Sequence, residues 1–358
     1  MRYERKMTSL LALLICAVIL SGCQSQSRTG AGLSETAYKG AGRILIPSPS
    51  WPCGMAEGIP VPERGVPVMV ATMKLDQSYD LGKTPYGQRK VYVIQGGEVT
   101  GAKITGSVMP GGLDFQLNLS NGAMEIEQNL VLRTSDGKYI YLRNAGTAAN
   151  ATDVRMVPDF EAPNAGTYNW LNTGKYVGRR EVDLAAKTMK ITVYDVSGDD
   201  MVPTPANSVQ VAKPAGVPAQ PWEFRKATAA ERRGEQIISE NVTLSGSQSV
   251  GAMKRGNRNI IPITGGTITG KITGKVLAGG ADYQNLKSPM TIDARYLWQA
   301  SDGEVIIVRN GGPMGLLAPT FEVRVDSPYA WLNQGTYLSS NPGMGAGGVG
   351  LTFYESRQ

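Results

Sequence analysis

The chain contains two copies of one sequence unit, and this repeat limits its possible folds more than any other feature. Seven short motifs of the first half recur in the same order in the second half, with small offsets between them. The matched segments are 95–101 with 264–270, 104–106 with 272–274, 111–116 with 279–284, 135–137 with 301–303, 143–146 with 309–312, 158–161 with 319–322 and 168–172 with 329–333. We therefore expect two domains of the same fold.

Each repeat has the pattern of short β-strands. Segments rich in Val, Ile, Tyr and Thr are separated by Gly pairs and by Asp-Gly steps, which is typical of antiparallel strands joined by hairpins. In the first repeat these segments are 90–94, 98–109, 124–133, 138–143 and 190–196. Many short strands within about 130 residues favour a closed or nearly closed barrel, because closure removes exposed strand edges. The predicted class is all-β, with two tandem antiparallel barrels.

The repeat and the composition around it set the expected boundaries. The first barrel is predicted at 66–197 and the second at 235–358. Segment 198–234 contains five prolines and several alanines, which predicts an extended, semi-stiff linker. Within this linker, 227–233 has the composition of one or two helical turns. Segment 23–65 is rich in Pro, Gly and Ser and is expected to tether the first barrel.

The N-terminus has the parts of a secretory signal. A short basic start precedes an apolar run at 10–20, which is too short to span a membrane as a helix. The sequence Leu-Ser-Gly-Cys that ends at Cys23 resembles the lipobox of bacterial lipoproteins. This resemblance implies cleavage after residue 22, acylation of Cys23 with chains such as palmitate, and stable anchoring to a membrane. Gln24 after the cysteine implies the outer membrane, with the protein facing the periplasm; the alternative is an ordinary secretory signal with a chance cysteine.

Composition excludes several classes of chemistry. Cys16 is removed with the signal and Cys23 carries lipid, so only Cys53 keeps a thiol and the mature chain has no internal disulfide. The chain has no histidine, which removes Ser-His-Asp and Cys-His systems and histidine-ligated zinc. No phosphate loop, dinucleotide fingerprint or metal-ligand spacing is present, so no cofactor or metal is predicted.

The charge of the chain gives no reason to expect nucleic-acid binding. The net charge is +6, and removal of residues 1–22, with three cations and one anion, leaves +4. No run of five like charges occurs. The expected partners are the membrane, through Cys23, and a small molecule.

The motifs as a set resemble the DUF3237 family, also called UPF0311. They are G-G-x-x-x-G, G-G-[LA]-D-[FY]-Q, S-D-G, P-x-F-E and Y-x-W-L-N, and each occurs in both halves. The resemblance covers most of the mature chain outside the tether and the linker, and it implies a lipocalin-like or calycin-like barrel in each half. It implies little about activity, because the family is largely uncharacterised. The second copy has Asp-Ala-Arg-Tyr at 293–296 where the first has Glu-Gln-Asn-Leu at 127–130, so the two barrels need not bind the same ligand.

Four carboxylates are candidates for chemistry. Asp114 and Asp282 each stand between a Gly pair and an aromatic residue, where a carboxylate can accept from a bound hydroxyl or amine; the alternative is a turn aspartate. Glu161 and Glu322 end the P-x-F-E motif. Each would form an acid–base pair with the Asp of its own domain if the two shared a cavity; the alternative is a solvated or salt-bridged glutamate.

The two matched arginines are candidate ligand-binding residues. Arg143 and Arg309 begin the R-N-x-G motif at the end of a predicted strand. An arginine facing a barrel interior can hold a ligand carboxylate with two hydrogen bonds. The alternative is a salt bridge to Glu161 or Asp114.

The Y-x-W-L-N motif supplies the remaining candidates. Trp170 and Trp331 are expected to plug the barrels or to form ligand walls. Asn172 and Asn333 offer amide contacts beside them, or bond the turn that follows.

Three functions remain open from the sequence. The first is an envelope lipoprotein that binds a small amphipathic ligand in one or both barrels. The second is an enzyme that uses Asp282 and Glu322 as acid and base on a small organic substrate. The third is an envelope scaffold that binds proteins through the outside of the barrels. The fold alone does not separate these functions.

Overall fold

The computed structural model describes residues 58–148, 150–198, 208–209, 214–345 and 347–358. Cys23 and Cys53 lie outside the described residues, as does nearly all of the predicted tether. The described residues belong to one compact unit. None of the helices within these ranges has the length and hydropathy needed to cross a membrane.

The first repeat forms a closed antiparallel barrel. Its strand order is β2-β10-β9-β8-β7-β6-β4-β3, and β3 pairs with β2 to complete the ring, while β5 bridges β3 and β6 beside β4. A short pair, β1 with β11, accompanies it. The strands are β1 Ile59–Pro60, β2 Val66–Thr84, β3 Gly87–Thr100, β4 Gly106–Val108, β5 Leu113–Asn118, β6 Met124–Thr134, β7 Tyr139–Ala148, β8 Val154–Glu161, β9 Tyr176–Asp183, β10 Thr188–Asp195 and β11 Ser208–Val209, with 3-10 turns at Pro62–Arg64 and Asn169–Asn172.

The second repeat forms a nearly closed barrel with the order β19-β18-β17-β15-β14-β12-β22-β20. Its last seam is not a regular ladder, because β19 is far shorter than its counterpart β8. There the amide of Ser339 donates to the carbonyl of Leu317 at 3.0 Å. The strands are β12 Arg232–Leu244, β13 Gln248–Met253, β14 Gly256–Gly270, β15 Gly274–Val276, β16 Ala281–Asn285, β17 Thr291–Ala300, β18 Val305–Pro313, β19 Thr320–Glu322, β20 Tyr337–Ser339, β21 Gly343–Gly345 and β22 Gly348–Arg357, with a 3-10 turn at Ala330–Asn333.

The predicted all-β class with two antiparallel barrels is confirmed, and the glycines of the repeat explain part of the geometry. Gly137 and Gly303 occupy the left-handed region at φ of 84° and 94°, in the Ser-Asp-Gly turns that join β6 to β7 and β17 to β18. Gly97 permits close approach of β3 to β2, since a Cβ there would lie 2.1 Å from the carbonyl oxygen of Thr72.

Each barrel has its own core. In the first, aliphatic side chains pack with Phe160, which meets Tyr176 edge to face at 5.1 Å. The second core is centred on Trp298, which is fully buried and lies 5.1 Å and 5.3 Å from the rings of Phe321 and Phe353. These aromatic side chains provide a large part of the buried apolar area of a small barrel.

The part of the linker at 214–231 makes contacts with the barrels. Gln220 is buried, and Trp222 packs against an apolar cluster of the first barrel. The helical turns expected at 227–233 are not formed, because β12 already begins at Arg232. Instead, the carboxylate of Glu231 accepts from the amide of Thr228 at 2.8 Å and from Arg225 at 2.9 Å and 3.0 Å, which fixes a turn.

The outer faces of the two barrels pack against each other. Two apolar clusters contain side chains of both barrels. In one of them Tyr141 of β7 stacks on Tyr283 of β16, with ring centroids 4.9 Å apart. Outward-facing residues of these strands are therefore buried, unlike those of an isolated barrel.

Candidate functional site

The second barrel contains a cavity of about 100 Å³ on its inner side. Its walls are mostly apolar, and they come from β12, β14, β16, β17, β18 and β22 together with the segment before β21. Four of the lining residues carry a carboxyl or amide side chain, namely Glu240, Asp282, Gln284 and Asn310, and Tyr296 also lines the cavity. A mainly apolar cavity with a few convergent polar groups is the usual form of a small-molecule site.

Asp282 lies in the wall of this cavity and is partly buried. One carboxylate oxygen accepts from the side-chain amide of Gln284 at 2.7 Å, and the other accepts from the backbone amide of Asp293 at 3.2 Å. Burial raises the pKa of Asp282 to about 6, although these hydrogen bonds act in the opposite direction. Among the described residues no cation lies within ion-pair distance of it.

The matched carboxylate of the first barrel, Asp114, has a different environment. Arg180 donates two hydrogen bonds to it, at 2.9 Å and 2.7 Å, and Gln128 donates a third at 2.8 Å. Asp114 and Arg180 are both buried, so a complete ion pair fills the space.

Two substitutions between the repeats open the cavity in the second barrel. Register places Ala294 opposite Asp282, where the first barrel has Gln128 opposite Asp114. The position of Arg180 is taken by Asn341, which is exposed and accepts a hydrogen bond from the amide of Gly315. The second aspartate therefore has neither the arginine nor the glutamine of the first.

The match of Arg180 with Asn341 follows from the tyrosines at the start of β9 and β20. The hydroxyl of Tyr176 donates to the carbonyl of Trp170 at 3.2 Å, and that of Tyr337 donates to the carbonyl of Trp331 at 3.1 Å. Arg180 and Asn341 each lie four residues after the tyrosine of their repeat.

Glu240 is the second carboxyl of the cavity and is buried, and the motifs did not identify it. It accepts from the hydroxyl of Tyr296 at 2.7 Å and from the indole nitrogen of Trp298 at 2.8 Å. Burial raises its pKa to about 7 against the effect of these two donors. A signal was present in the sequence, because Glu240 falls on the same side of β12 as Ile238 and Val242, where an apolar residue is expected.

Asn310 completes the polar wall. Its side-chain nitrogen donates to the hydroxyl of Ser339 at 3.2 Å. Its side-chain oxygen is buried and has no hydrogen-bond partner among the described residues. A buried amide oxygen without a donor is unfavourable unless water or a ligand donates to it.

The predicted glutamates lie outside the barrel interiors. Glu161 and Glu322 are on the outer faces where the barrels meet, paired with Arg258 at 2.6 Å and Arg89 at 2.7 Å. The structure therefore does not bring Asp282 and Glu322 into one site, nor Asp114 and Glu161, because in each pair the carboxyls are on opposite sides of a barrel wall. The salt-bridged alternative describes both glutamates.

Neighbouring arginines keep these two glutamates ionised. Burial alone would raise the pKa of Glu161, but Arg258 and Arg255 hold it below its usual value. For Glu322 the opposing cations are Arg89 and Arg309, and its pKa is also lowered. Carboxylates held ionised in this way fix the contact between the barrels and are poor general acids.

The two predicted arginines also face outward. Arg309 pairs with Glu127 at 3.0 Å and with Glu322 at 3.5 Å. The guanidinium of Arg143 lies 3.6 Å from the ring centroid of Trp222 and pairs with Glu223 at 2.9 Å. The expectation that Arg143 would face the interior, or pair with Glu161 or Asp114, is wrong, because the residue is on the outward side of β7.

The Y-x-W-L-N residues have structural contacts at one end of each barrel. The side-chain amide of Asn172 bonds both the N–H and the carbonyl of Ala162, each at 2.9 Å. Asn333 makes the same two bonds to Val323, also at 2.9 Å.

The two tryptophans of this motif belong to the cores. Trp170 and Trp331 are partly buried and pack against the core of their own barrel. Like the asparagines, they do not line the cavity of the second barrel.

A larger cleft of about 450 Å³ lies between the barrels, bounded by β7, β8, β14, β16, β17 and the linker. Its walls are charged, and most of these charges are already paired, as Arg258 is with Glu161 and Arg143 with Glu223. Two carboxyls of this cleft have raised pKa values, because burial raises the pKa of Asp293 to about 7 and that of Asp159 to about 6. No group of three or more Asp, Glu or Cys residues in the described ranges is placed to hold a metal ion.

The fold and the cavity define a protein of two tandem antiparallel barrels, and among the described residues the second barrel has a carboxylate, Asp282, that faces a cavity with no cation paired to it. The chain belongs to the DUF3237 family, described as proteins of unknown function, whose model matches residues 64–197 and 234–316. The predicted family is thus confirmed, and the match falls on both repeats.

Individual relatives are similar to one repeat at a time. A UPF0311 protein from Bradyrhizobium diazoefficiens is 31% identical over 121 residues, which cover 29% of this chain and 78% of that protein. A UPF0311 protein from Rhodopseudomonas palustris is 37% identical over 128 residues, 31% of this chain and 83% of that protein. A crystal structure of a β-barrel-like protein from Acinetobacter baumannii has a TM-score of 0.34 and 24% identity, and covers 37% of this chain and 94% of that one.

Proposed function

We propose that this protein is an envelope lipoprotein that binds a small amphipathic molecule in its second barrel. The molecule has a short aliphatic body and a head group that donates hydrogen bonds, above all a primary amine. The observation that carries the proposal is Asp282, which occupies the place of Asp114 without the arginine of the first barrel and faces a cavity.

The size of the cavity sets the size of the ligand. A cavity of about 150 Å³ lined by apolar side chains is large enough for benzene. The space here, about 100 Å³, therefore suits an aliphatic group of roughly four or five heavy atoms. The apolar wall, which includes Val242, Ile263 and Leu351, accounts for the aliphatic body.

The polar wall sets the chemistry of the head group. The carboxylate of Asp282 and the side-chain oxygen of Asn310 both accept hydrogen bonds. An ammonium group beside Asp282 would supply the positive charge that Arg180 supplies to Asp114. Because the pKa of Asp282 is about 6, binding of an ammonium should strengthen as the pH rises through 6 and the carboxyl ionises.

Thermal denaturation of the purified protein with short alkylamines, alcohols and carboxylic acids tests this proposal. We expect n-butylamine to raise the melting temperature, more at pH 8 than at pH 5, and butyrate to have no effect. Asp282→Asn should abolish the shift, and Ala294→Gln should abolish it by filling the cavity. Asp326→Asn is the matched control, since this aspartate is exposed in a surface pair.

Two results would contradict ligand binding at this site. One is the absence of a shift with every amine and alcohol at both pH values. The other is a shift that survives in Asp282→Asn and Ala294→Gln.

The envelope location rests on the N-terminal sequence and needs its own test. Cys23→Ser in the full-length protein should prevent incorporation of labelled palmitate and leave the chain in the soluble periplasmic fraction. Cys53→Ser is the control and should leave both labelling and membrane association unchanged. Labelling that persists in Cys23→Ser would contradict lipidation at this residue.

A further inference from the structure

The contact between the barrels uses equivalent residues from both repeats. Arg89 of β3 and Arg258 of β14 occupy matched positions, as Glu161 and Glu322 do. Arg89 pairs with Glu322 at 2.7 Å, and Arg258 pairs with Glu161 at 2.6 Å. Each barrel thus gives one arginine and one glutamate to its neighbour, at the same positions.

Backbone hydrogen bonds repeat the same relation. The amide of Asn164 donates to the carbonyl of Ala252, and the amide of Val325 donates to the carbonyl of Lys83, both at 2.8 Å. Asn164 and Val325 each lie three residues after the matched glutamate of their own barrel. Lys83 and Ala252 each lie one residue after the matched glycines Gly82 and Gly251. The two hydrogen bonds therefore join equivalent positions, once from the first barrel to the second and once from the second to the first.

The apolar part of the contact is reciprocal as well. One cluster combines strands β3 and β5 of the first barrel with β17 and β18 of the second, and the other combines β14 and β16 of the second with β6 and β7 of the first. The matched members are Val91 with Ile260, Leu113 with Ala281, Phe115 with Tyr283, Val131 with Leu297, and Tyr141 with Ile307.

This arrangement is that of an isologous interface, in which one patch is complementary to itself across a two-fold axis. We propose that the outer face formed by β3, β5, β6 and β7, with the P-x-F-E glutamate, is a recognition surface whose partner is a second barrel of the same family. The present chain is then a two-fold pair of barrels joined by a linker, and the two halves bind each other without the covalent connection. This inference does not depend on the proposed ligand.

The ion pairs make the recognition specific. Both glutamates and both arginines are buried or nearly so in the contact. Loss of one partner leaves a buried charge without compensation, which costs far more than a surface pair. A face with these charges accepts a partner that presents the opposite charges at the matched positions, as the other repeat of this chain does.

The test uses the full chain with a site-specific protease sequence inserted within 199–207, so that the linker is cut after the protein has folded. We expect the two halves to elute together as a 1:1 complex at a protein concentration of about 1 µM, because specific interfaces commonly have dissociation constants below this value. Mixing isotope-labelled and unlabelled cut protein should then exchange halves, because the association is not covalent.

Matched variants show whether the reciprocal pairs hold the complex. After cleavage, Glu161→Gln and Glu322→Gln should each raise the dissociation constant by at least about 100-fold, and to similar extents, because they are equivalent in the two-fold relation. Glu235→Gln is the control, since its pair with Lys271 is on the surface. Before cleavage, all variants should keep the β circular dichroism spectrum, which shows that the barrels remain folded.

The proposal is overturned if the halves of the cut wild-type protein separate at about 1 µM. It is also overturned if Glu235→Gln weakens the complex as much as Glu161→Gln, or if only one of the two matched glutamates matters.

Discussion

Replacement of Glu240 by glutamine should remove a large part of the loss of stability that the protein suffers between pH 5 and pH 8. Glu240 is buried in the second barrel, and its pKa is raised from 4.5 to about 7. A raised pKa in the folded state means that folding favours the protonated carboxyl. Its contribution to stability is therefore complete below pH 4.5 and is lost as the pH rises to about 7.

The magnitude follows from the shift. A difference of 4.5 to about 7 is roughly 2.5 pH units, and each unit corresponds to about 1.36 kcal/mol, so ionisation of Glu240 costs about 3 kcal/mol by pH 8. Glutamine has the shape of the protonated side chain. Its oxygen can accept from the indole N–H of Trp298 and its amide can donate to the hydroxyl oxygen of Tyr296, which are the present partners.

Urea unfolding at pH 5 and pH 8 provides the measurement. Glu240→Gln should exceed the wild type by at most about 1 kcal/mol at pH 5 and by about 3 kcal/mol at pH 8, where the midpoint shift is about 1 M urea or more. The comparison at each pH removes the contribution of other titrating groups, such as Asp282, that both proteins share. A stability difference that is the same at both pH values would refute the assignment of a protonated carboxyl in this core.

Two further predictions concern the packing of the barrels. Arg180→Ala should destabilise the protein by about 3–5 kcal/mol in urea unfolding, because Asp114 is left charged and buried, whereas Arg324→Ala, which breaks a surface pair, should cost at most about 1 kcal/mol; similar losses would contradict the buried ion pair. Gly280→Ala should lower the melting temperature far more than Gly303→Ala, because both glycines have positive φ but only at Gly280 would the new Cβ lie 2.0 Å from a backbone oxygen. Equal losses of melting temperature would show that the backbone angle φ alone, and not the contact of the new Cβ, determines the loss of stability.

The repeat and its alternating residues predict most of the fold, because strand and turn signals are local. Ser-Asp-Gly at 135–137 and 301–303 predicts two hairpins, and the structure has both. The short seam at β19 has no comparable local signal. Its closure depends on a hydrogen bond between Ser339 and Leu317, which are distant in sequence.

The candidate site was harder to predict, because burial of an outward-facing residue depends on its neighbour in space. In the structure Arg309 and Glu322 lie on the outer side of the barrel wall, which in a single barrel would face water. Here that surface is covered by the other barrel, which no local pattern of one repeat reveals. Asp282 does face a cavity, but it differs from Asp114 through the loss of two neighbours. Asn341 stands where the first barrel has an arginine, and Ala294 stands where it has a glutamine.

The contacts that the linker makes around Gln220 and Trp222 have a consequence for how its length can vary. Gln220 bonds Arg89 and Glu125 of the first barrel, and the carbonyl of Trp222 accepts from Arg143 of the first barrel and from Arg295 of the second. Loops that only connect domains tolerate insertions and deletions at little thermodynamic cost. A segment held by side chains of both domains does not have this freedom, so we expect its length around these residues to be as restricted as that of a core strand, with natural length variation confined to the stretch before it.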